Sequence, residues 1–366
     1  MINKKKTFFF LYIFFLLFLI EIFSYFSIKV LSKKGVFYDP SQVKQNYNEY
    51  IKVKDSSLGW ENKNTDYYGA RKDKSSFSKF NACVDVYGDS FTYGLGVDDN
   101  DAWPSILSVK LRCRVKNYGV IGYGTDQAYL KYLYKSNNSS NIVVLNHFSE
   151  GILRNINQLL NLIYPNPELA LKPRFILKNN NLSLIQITSL TKLTFNELLV
   201  SPQKLLKYEY FNPLGESGVQ IASFPYTITF IKAFKHYHVR AILNKESRVK
   251  EFYESKHKSE AFKITELIMK EFYRNVSLKN LIPILTIIPA CRDFKHRDIY
   301  GKFPYENLSI ELKNYTTNFI DFGSEIILNK INYKDLYDNC SSHMNKFGNQ
   351  VLAQIFEKKL KESKLH

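Results

Sequence analysis

The stretch C-V-D-V-Y-G-D-S-F-T-Y-G-L-G, residues 83–96, is the most informative in the chain. Val84 and Val86 alternate with Asp85 and Tyr87 at the period of a short strand. Gly88 then permits a sharp turn, after which Ser90 can open a helix. A strand ending this way delivers a serine hydroxyl to a sheet edge, with the serine N–H facing an incoming carbonyl oxygen. Taken alone, the tripeptide reads equally well as strand, turn and helix cap.

Outward from it, short apolar runs alternate with helical stretches. Strands are predicted up to Tyr87 and over 115–118, 142–145, 281–288 and 318–322, with helices around Trp103–Leu111 and 127–133. Ala261, Ile264, Leu267, Ile268 and Phe272 recur at helical spacing. This order predicts an α/β fold, a flavodoxin-like three-layer α/β/α domain over 81–366 with a mostly parallel sheet. Residues 157–248 interrupt the alternation and read as an insertion expected to lie over the site. Within them K-P-R-F-I-L-K-N-N-N-L-S-L predicts a β-hairpin around an Asn-rich turn.

Three further segments complete a pattern: V-K-N-Y-G-V-I-G-Y-G-T-D-Q at 115–127, N-I-V-V-L-N-H-F-S-E-G-I-L-R-N at 141–155, and H-M-N-K-F-G-N-Q-V-L-A at 343–353. With the Gly-Asp-Ser turn they stand in the order used by the SGNH/GDSL hydrolases, and the chain resembles that superfamily. The resemblance implies Ser90 as nucleophile, His343 as its base, and the N–H groups of Ser90 and Gly122 as oxyanion donors. An imidazole titrating near neutrality also suits that base role on chemical grounds. Two positions depart from the pattern. The family's carboxylate, three residues before the histidine, is replaced by Cys340, so Asp338 is the nearest acid and Asp335 a weaker substitute. The family's Asn-Asp pair aligns with Glu150 and Gly151, leaving a protonated Glu150, Asn146 or Asn155 as the further oxyanion donor. Arg154 and Asn155 resemble an R-N pair of anchored members, where the role is at least as much structural.

At the amino terminus Lys4, Lys5 and Lys6 precede an apolar run, 7–28, whose one charge is Glu21. About 20 apolar residues cross a bilayer, and no small-residue cleavage site follows, so an uncleaved transmembrane anchor is expected rather than a signal peptide. Lys29, Lys33 and Lys34 balance the leading lysines. The short tail 1–6 and the family resemblance place the tail in the cytoplasm and the large domain outside, single-pass in the cytoplasmic membrane. Residues 29–80, polar and tyrosine-rich with S-S-L-G-W and K-D-K-S-S turns, read as a juxtamembrane spacer. Glu21 is costly in lipid and calls for an interface or a helix partner.

Lysine and arginine number 51 against 34 acidic residues, a net charge of +17, which suits anionic lipid or acidic glycan. The cations are scattered without a basic stripe, so no nucleic acid is expected. His236 and His238 have metal-like spacing but lack a third ligand, and neither metal nor cofactor is expected. The four cysteines, Cys83, Cys113, Cys291 and Cys340, allow three pairings and fit an oxidising compartment, with buried free thiols as the alternative. A Cys291–Cys340 bond would pin the histidine loop. The expected function is a serine esterase acting on O-acyl groups, chiefly O-acetyl, of a surface or secreted glycan or a small ester, through an acyl-serine. The alternatives are an O-acyltransferase on the same glycans, a lipid esterase, or a non-catalytic binding domain.

Overall fold

The structure is a computed structural model of the chain and describes residues 4–63, 65–66, 69–72, 77, 81–136, 140–213 and 215–363. The K-D-K-S-S turn expected at 72–76 lies outside the described residues apart from Lys72. In chain order the principal elements are α1 (Lys4–Ser32), β1 (Ala82–Tyr87), α2 (Ser90–Tyr93), α3 (Trp103–Leu111), β2 (Arg114–Asn117), α4 (Thr125–Lys135) and β3 (Ile142–Phe148). A hairpin of β4 (Arg174–Lys178) and β5 (Asn181–Ile185) follows, then α5 (Tyr226–Lys232) and α6 (Tyr237–Leu243). The chain ends with α7 (Ala261–Ser277), β6 (Ile282–Ile288), α8 (Cys291–Tyr300), β7 (Phe319–Asp321) and α9 (Lys346–Glu362). Two compact units result: one comprises Met1–Val53, Asn157–Leu171 and Thr188–Arg248, the other Lys54–Ile156, Lys172–Ile187 and Val249–His366. The expected spacer 29–80 is thus divided at residue 53, and the hairpin inside the expected insertion groups with the larger unit.

The larger unit is an α/β fold. Its five-stranded sheet runs β2-β1-β3-β6-β7 and every neighbouring pair is parallel. That is the flavodoxin-like order. β3 and β6 are near-continuous apolar runs because a parallel sheet covered by helices buries both faces of its strands. Pro283 is tolerated in β6 for a local reason. Its missing N–H would point toward β7, whose pairing begins only at Leu285. α3 and α9 pack together on one side, with Trp103 against Phe356, and α4 and α7 on the other, with Tyr132 against Phe272.

The hairpin is tethered by buried charge. Lys172 Nζ donates to Asp126 Oδ2 at 2.5 Å, with both side chains inaccessible to solvent. Arg174 donates to Ile156 O at 2.6 Å. Burial pushes the Asp126 carboxyl upward while Lys172 opposes it.

In the smaller unit, α1 is long and apolar enough to cross a membrane. Its end packs into a cluster of Ile28, Val36, Phe37 and Ala233, beside a short parallel pairing of Phe37–Tyr38 with Gln220–Ile221.

Removing one partner of a buried ion pair costs about 3–5 kcal/mol, so Lys172→Met should lower unfolding stability in mild detergent by that order, and adding Asp126→Asn should recover much of it. In Lys172→Met the orphaned Asp126 has a folded pKa above its unfolded one. The variant's deficit should therefore shrink as pH falls through that raised value toward the unfolded one. A Lys172→Met chain as stable as wild type in urea would show that the tether is dispensable.

Candidate functional site

Because the sheet is parallel, β1, β2, β3 and β6 all release their loops at one edge, where ligands bind in open α/β sheets. After β1 the chain turns at Gly88, where a Cβ would collide with the Thr92 side chain and sit 3.0 Å from Asn146 Cβ. Asp89 caps the next helix, its Oδ1 accepting from Phe91 N at 2.9 Å. Ser90 is the first residue of the short α2 and is only 3% exposed. The N–H at that position has no acceptor within its helix. Gly119 was not singled out in the sequence, yet a Cβ there would strike Tyr93 N, so the loops after β1 and β2 meet backbone to backbone. Its signal was the V-K-N-Y-G segment itself.

Opposite Ser90 lies His343, whose Nε2 is 2.8 Å from Ser90 Oγ. In the Nδ1-protonated tautomer, Nε2 accepts the serine proton. The ring rests on Phe91 at 4.8 Å between centroids, and Phe91 stacks on Phe148 at 4.2 Å. The loop that carries it is held at several points. Cys340 is bonded to Cys291, Tyr337 pairs with Met344, and Tyr337 OH donates to Pro289 O at 3.0 Å. Cys83 is bonded to Cys113, so all four cysteines are paired. Asn345 then caps α9 through Gly348 N at 2.9 Å.

Asp338 departs from its expected place. It is exposed and, among the described residues, forms no hydrogen bond or ion pair with His343. The cause is local: Tyr337 is extended and buried, so the next side chain along the strand-like segment turns to solvent. Asp335 is exposed too, and what it offers Asn345 is its backbone oxygen. Among the described residues the imidazole therefore has one hydrogen-bond partner, Ser90.

The charges that reach His343 come from Arg154 and Glu150. Burial lowers the imidazole pKa first, Arg154 lowers it further, and Glu150 opposes them. Arg154 is buried behind the serine turn, with its guanidinium 3.2 Å from Asp89 Oδ2, donating to Tyr123 O at 2.8 Å and lying over the Phe148 ring. Burial raises the Asp89 carboxyl and Arg154 opposes that shift. The electrostatic reach of Arg154 to the imidazole was not legible from an R-N pair.

The candidate oxyanion donors separate. Gly122 is half-buried at φ +85° in a turn closed by Tyr123 N to Val120 O at 3.2 Å, a place that favours glycine. Trp60 and Asn62 pin that turn through Ile121 O at 2.8 Å and Ile121 N at 3.2 Å. Asn146 is buried between strands, donating to Thr92 Oγ1 at 2.9 Å and accepting from Thr286 Oγ1. Asn155 is likewise buried, donating to Thr265 Oγ1 at 2.8 Å and accepting from Asp126 N at 3.2 Å. Both amides serve the scaffold. Glu150 stands half-buried at the start of the short helix Gly151–Asn155.

His147 braces the neighbouring strand exit. It is fully buried, with Nδ1 2.6 Å from Thr125 Oγ1 and Nε2 2.7 Å from Tyr253 OH, which itself donates to Ser149 O at 2.6 Å. Burial lowers its pKa to about 3, so it stays neutral. Ser149 Oγ donates to Asp293, which also accepts from Ala290 N at 2.8 Å, linking the ends of β3 and β6.

No family model and no curated protein matches the chain. Among solved structures it is similar to a Desulfitobacterium hafniense DCB-2 protein described as lipolytic and of the G-D-S-L family. The TM-score is 0.37 at 12% identity, covering 76% of this chain and 99% of that one. A Lactobacillus plantarum protein from structural genomics gives 0.35 at 10% identity, covering 77% and 97%. At these scores the likeness carries no chemistry, and the functional reading rests on the site's own geometry.

Followed by NMR, His343 should titrate below the ordinary value of about 6.5. Glu150→Gln, which removes the one charge acting upward, should move the midpoint lower still. A wild-type midpoint at or above the ordinary value, or an upward move in the variant, would contradict this electrostatic picture.

Proposed function

We propose that the protein is a membrane-anchored serine esterase acting on O-acyl groups, chiefly O-acetyl, of a surface or secreted glycan. The observation that carries this reading is the 2.8 Å contact between Ser90 Oγ and His343 Nε2 at the head of a strand-turn-helix. Two disulfides and an apolar amino-terminal helix support a domain outside the cytoplasmic membrane. The net charge of +17 suits an acidic polymer or surface.

In this mechanism Ser90 Oγ attacks the acyl carbonyl carbon as His343 Nε2 takes the hydroxyl proton. The oxyanion of the tetrahedral adduct is met by the N–H of Ser90 and the N–H of the Gly122 turn. Collapse breaks the bond to the sugar oxygen, which leaves with the proton from His343. Water, deprotonated by the same imidazole, then attacks acyl-Ser90 and releases the carboxylic acid. A sugar hydroxyl in place of water would make the same intermediate an acyl donor. Ser90 and His343 act as a dyad, with Arg154 keeping the resting imidazole neutral and so able to accept a proton.

Full-length protein in mild detergent should hydrolyse aryl acetates and an O-acetylated acidic polysaccharide. Ser90→Ala and His343→Ala should each lower kcat/KM by about 10³-fold or more. Asp338→Asn should stay within about tenfold of wild type, because loss of a true triad carboxylate costs nearer 10⁴-fold. The acid limb of the pH profile should follow the lowered His343 pKa, so that rates persist below the range of an ordinary histidine. Asp338→Asn as dead as His343→Ala would restore a triad, and wild-type rates in Ser90→Ala would overturn the nucleophile.

A further inference from the structure

Glu21, the sole charge within 7–28, is satisfied inside its own unit. Its carboxylate accepts from Tyr226 N, from Thr227 N at 3.0 Å and from Thr227 Oγ1 at 2.6 Å. Thr227 Oγ1 also reaches Ser24 Oγ at 3.3 Å, and the Tyr25 and Tyr226 rings meet edge to face at 5.0 Å. Glu21, Ser24, Tyr25 and Ile28 form one stripe of α1, and α5 lies along it.

The inner side of α5 is accounted for by this contact: Tyr226 and Phe230, with Ala233 just beyond the helix, pack with Ile28, and Thr229 is buried with its hydroxyl on Ser223 O at 2.9 Å. A helix at the surface of a water-soluble unit would carry polar residues on its other side. Here the outward stripe is Phe224, Ile228, Ile231 and Phe234, exposed by 73%, 52%, 61% and 56%. Ile242 and Leu243 of α6 are exposed as well, and Lys232, Lys235 and Lys245, close by in the sequence, are exposed with them.

Depth along α1 decides what covers this stripe. Glu21 stands seven residues before the end of the apolar run at Ile28, about 10 Å at 1.5 Å per residue. The start of α5 is hydrogen-bonded to it at that level. We propose that 224–243 is a second membrane element beside α1, reaching from the lipid interface in to about the level of Glu21. Phe224, Ile228, Ile231 and Phe234 enter the acyl region, and the three lysines reach anionic headgroups. The inference rests on the reading of α1 as a membrane span.

The test uses the full chain in vesicles of equal phosphatidylcholine and phosphatidylglycerol. Single cysteines replace Leu16 on α1, Ile228 or Ile231 on α5, or the exposed Ile310 of the larger unit, and each is spin-labelled. The four native cysteines are paired and leave each introduced thiol alone. Labels at 16, 228 and 231 should collide with oxygen several-fold more, relative to a water-soluble nickel chelate, than the label at 310. Lipid-like behaviour at 16 with water-like behaviour at 228 and 231 would overturn the proposal while leaving the span intact. Water-like behaviour at 16 would remove both. Shielding of 228 and 231 from both reagents would mean that a second protein surface, not lipid, covers the stripe.

Discussion

A single hydrogen bond, Ser90 Oγ to His343 Nε2, joins two residues 253 positions apart in the chain, and the sheet order is what lets it form. Ser90 follows the second strand across the sheet, while β6 sends its exit through Cys291 toward the loop that carries the histidine. The Cys291–Cys340 bond and the Tyr337 hydroxyl on Pro289 O fasten that loop to the β6 exit. The imidazole gains its position from this fastening and from Phe91, and an orienting carboxylate plays no part among the described residues.

Charge is organised around the same contact. Asp89 caps the serine helix and must be buried to do so, and Arg154 compensates it at 3.2 Å. The same guanidinium acts on the imidazole and favours its neutral form, the form a general base needs at rest. A carboxylate at Nδ1 would favour the charged form once the proton has moved. Under the proposed mechanism, this arrangement would start the reaction readily, with less support for the imidazolium than a full triad supplies.

Much of this architecture was legible in the residues. The apolar runs of β3 and β6, the alternation of β1, the hairpin around Asn179 and Asn180 and the helix after His343 are local patterns, and local patterns survive in a sequence. What failed to read depended on three-dimensional neighbours. Asp338 was the nearest acid along the chain, but the burial of Tyr337 turns it to solvent. Asn146 and Asn155 looked available, but each is consumed by a threonine from a distant segment. Lys172 looked like one more scattered lysine, yet it is wholly buried on Asp126. Glu21 announced that it needed a partner without naming α5.

The central claim is that Ser90 forms a covalent acyl intermediate with His343 as its base. The most direct measurement is rapid acid quench of the full-length protein after mixing with an aryl acetate, followed by peptide mass spectrometry. An acetyl group on Ser90 in wild type, absent in His343→Ala, is the predicted result. An unmodified Ser90 during turnover, or an acetyl group carried by a different residue, would contradict it.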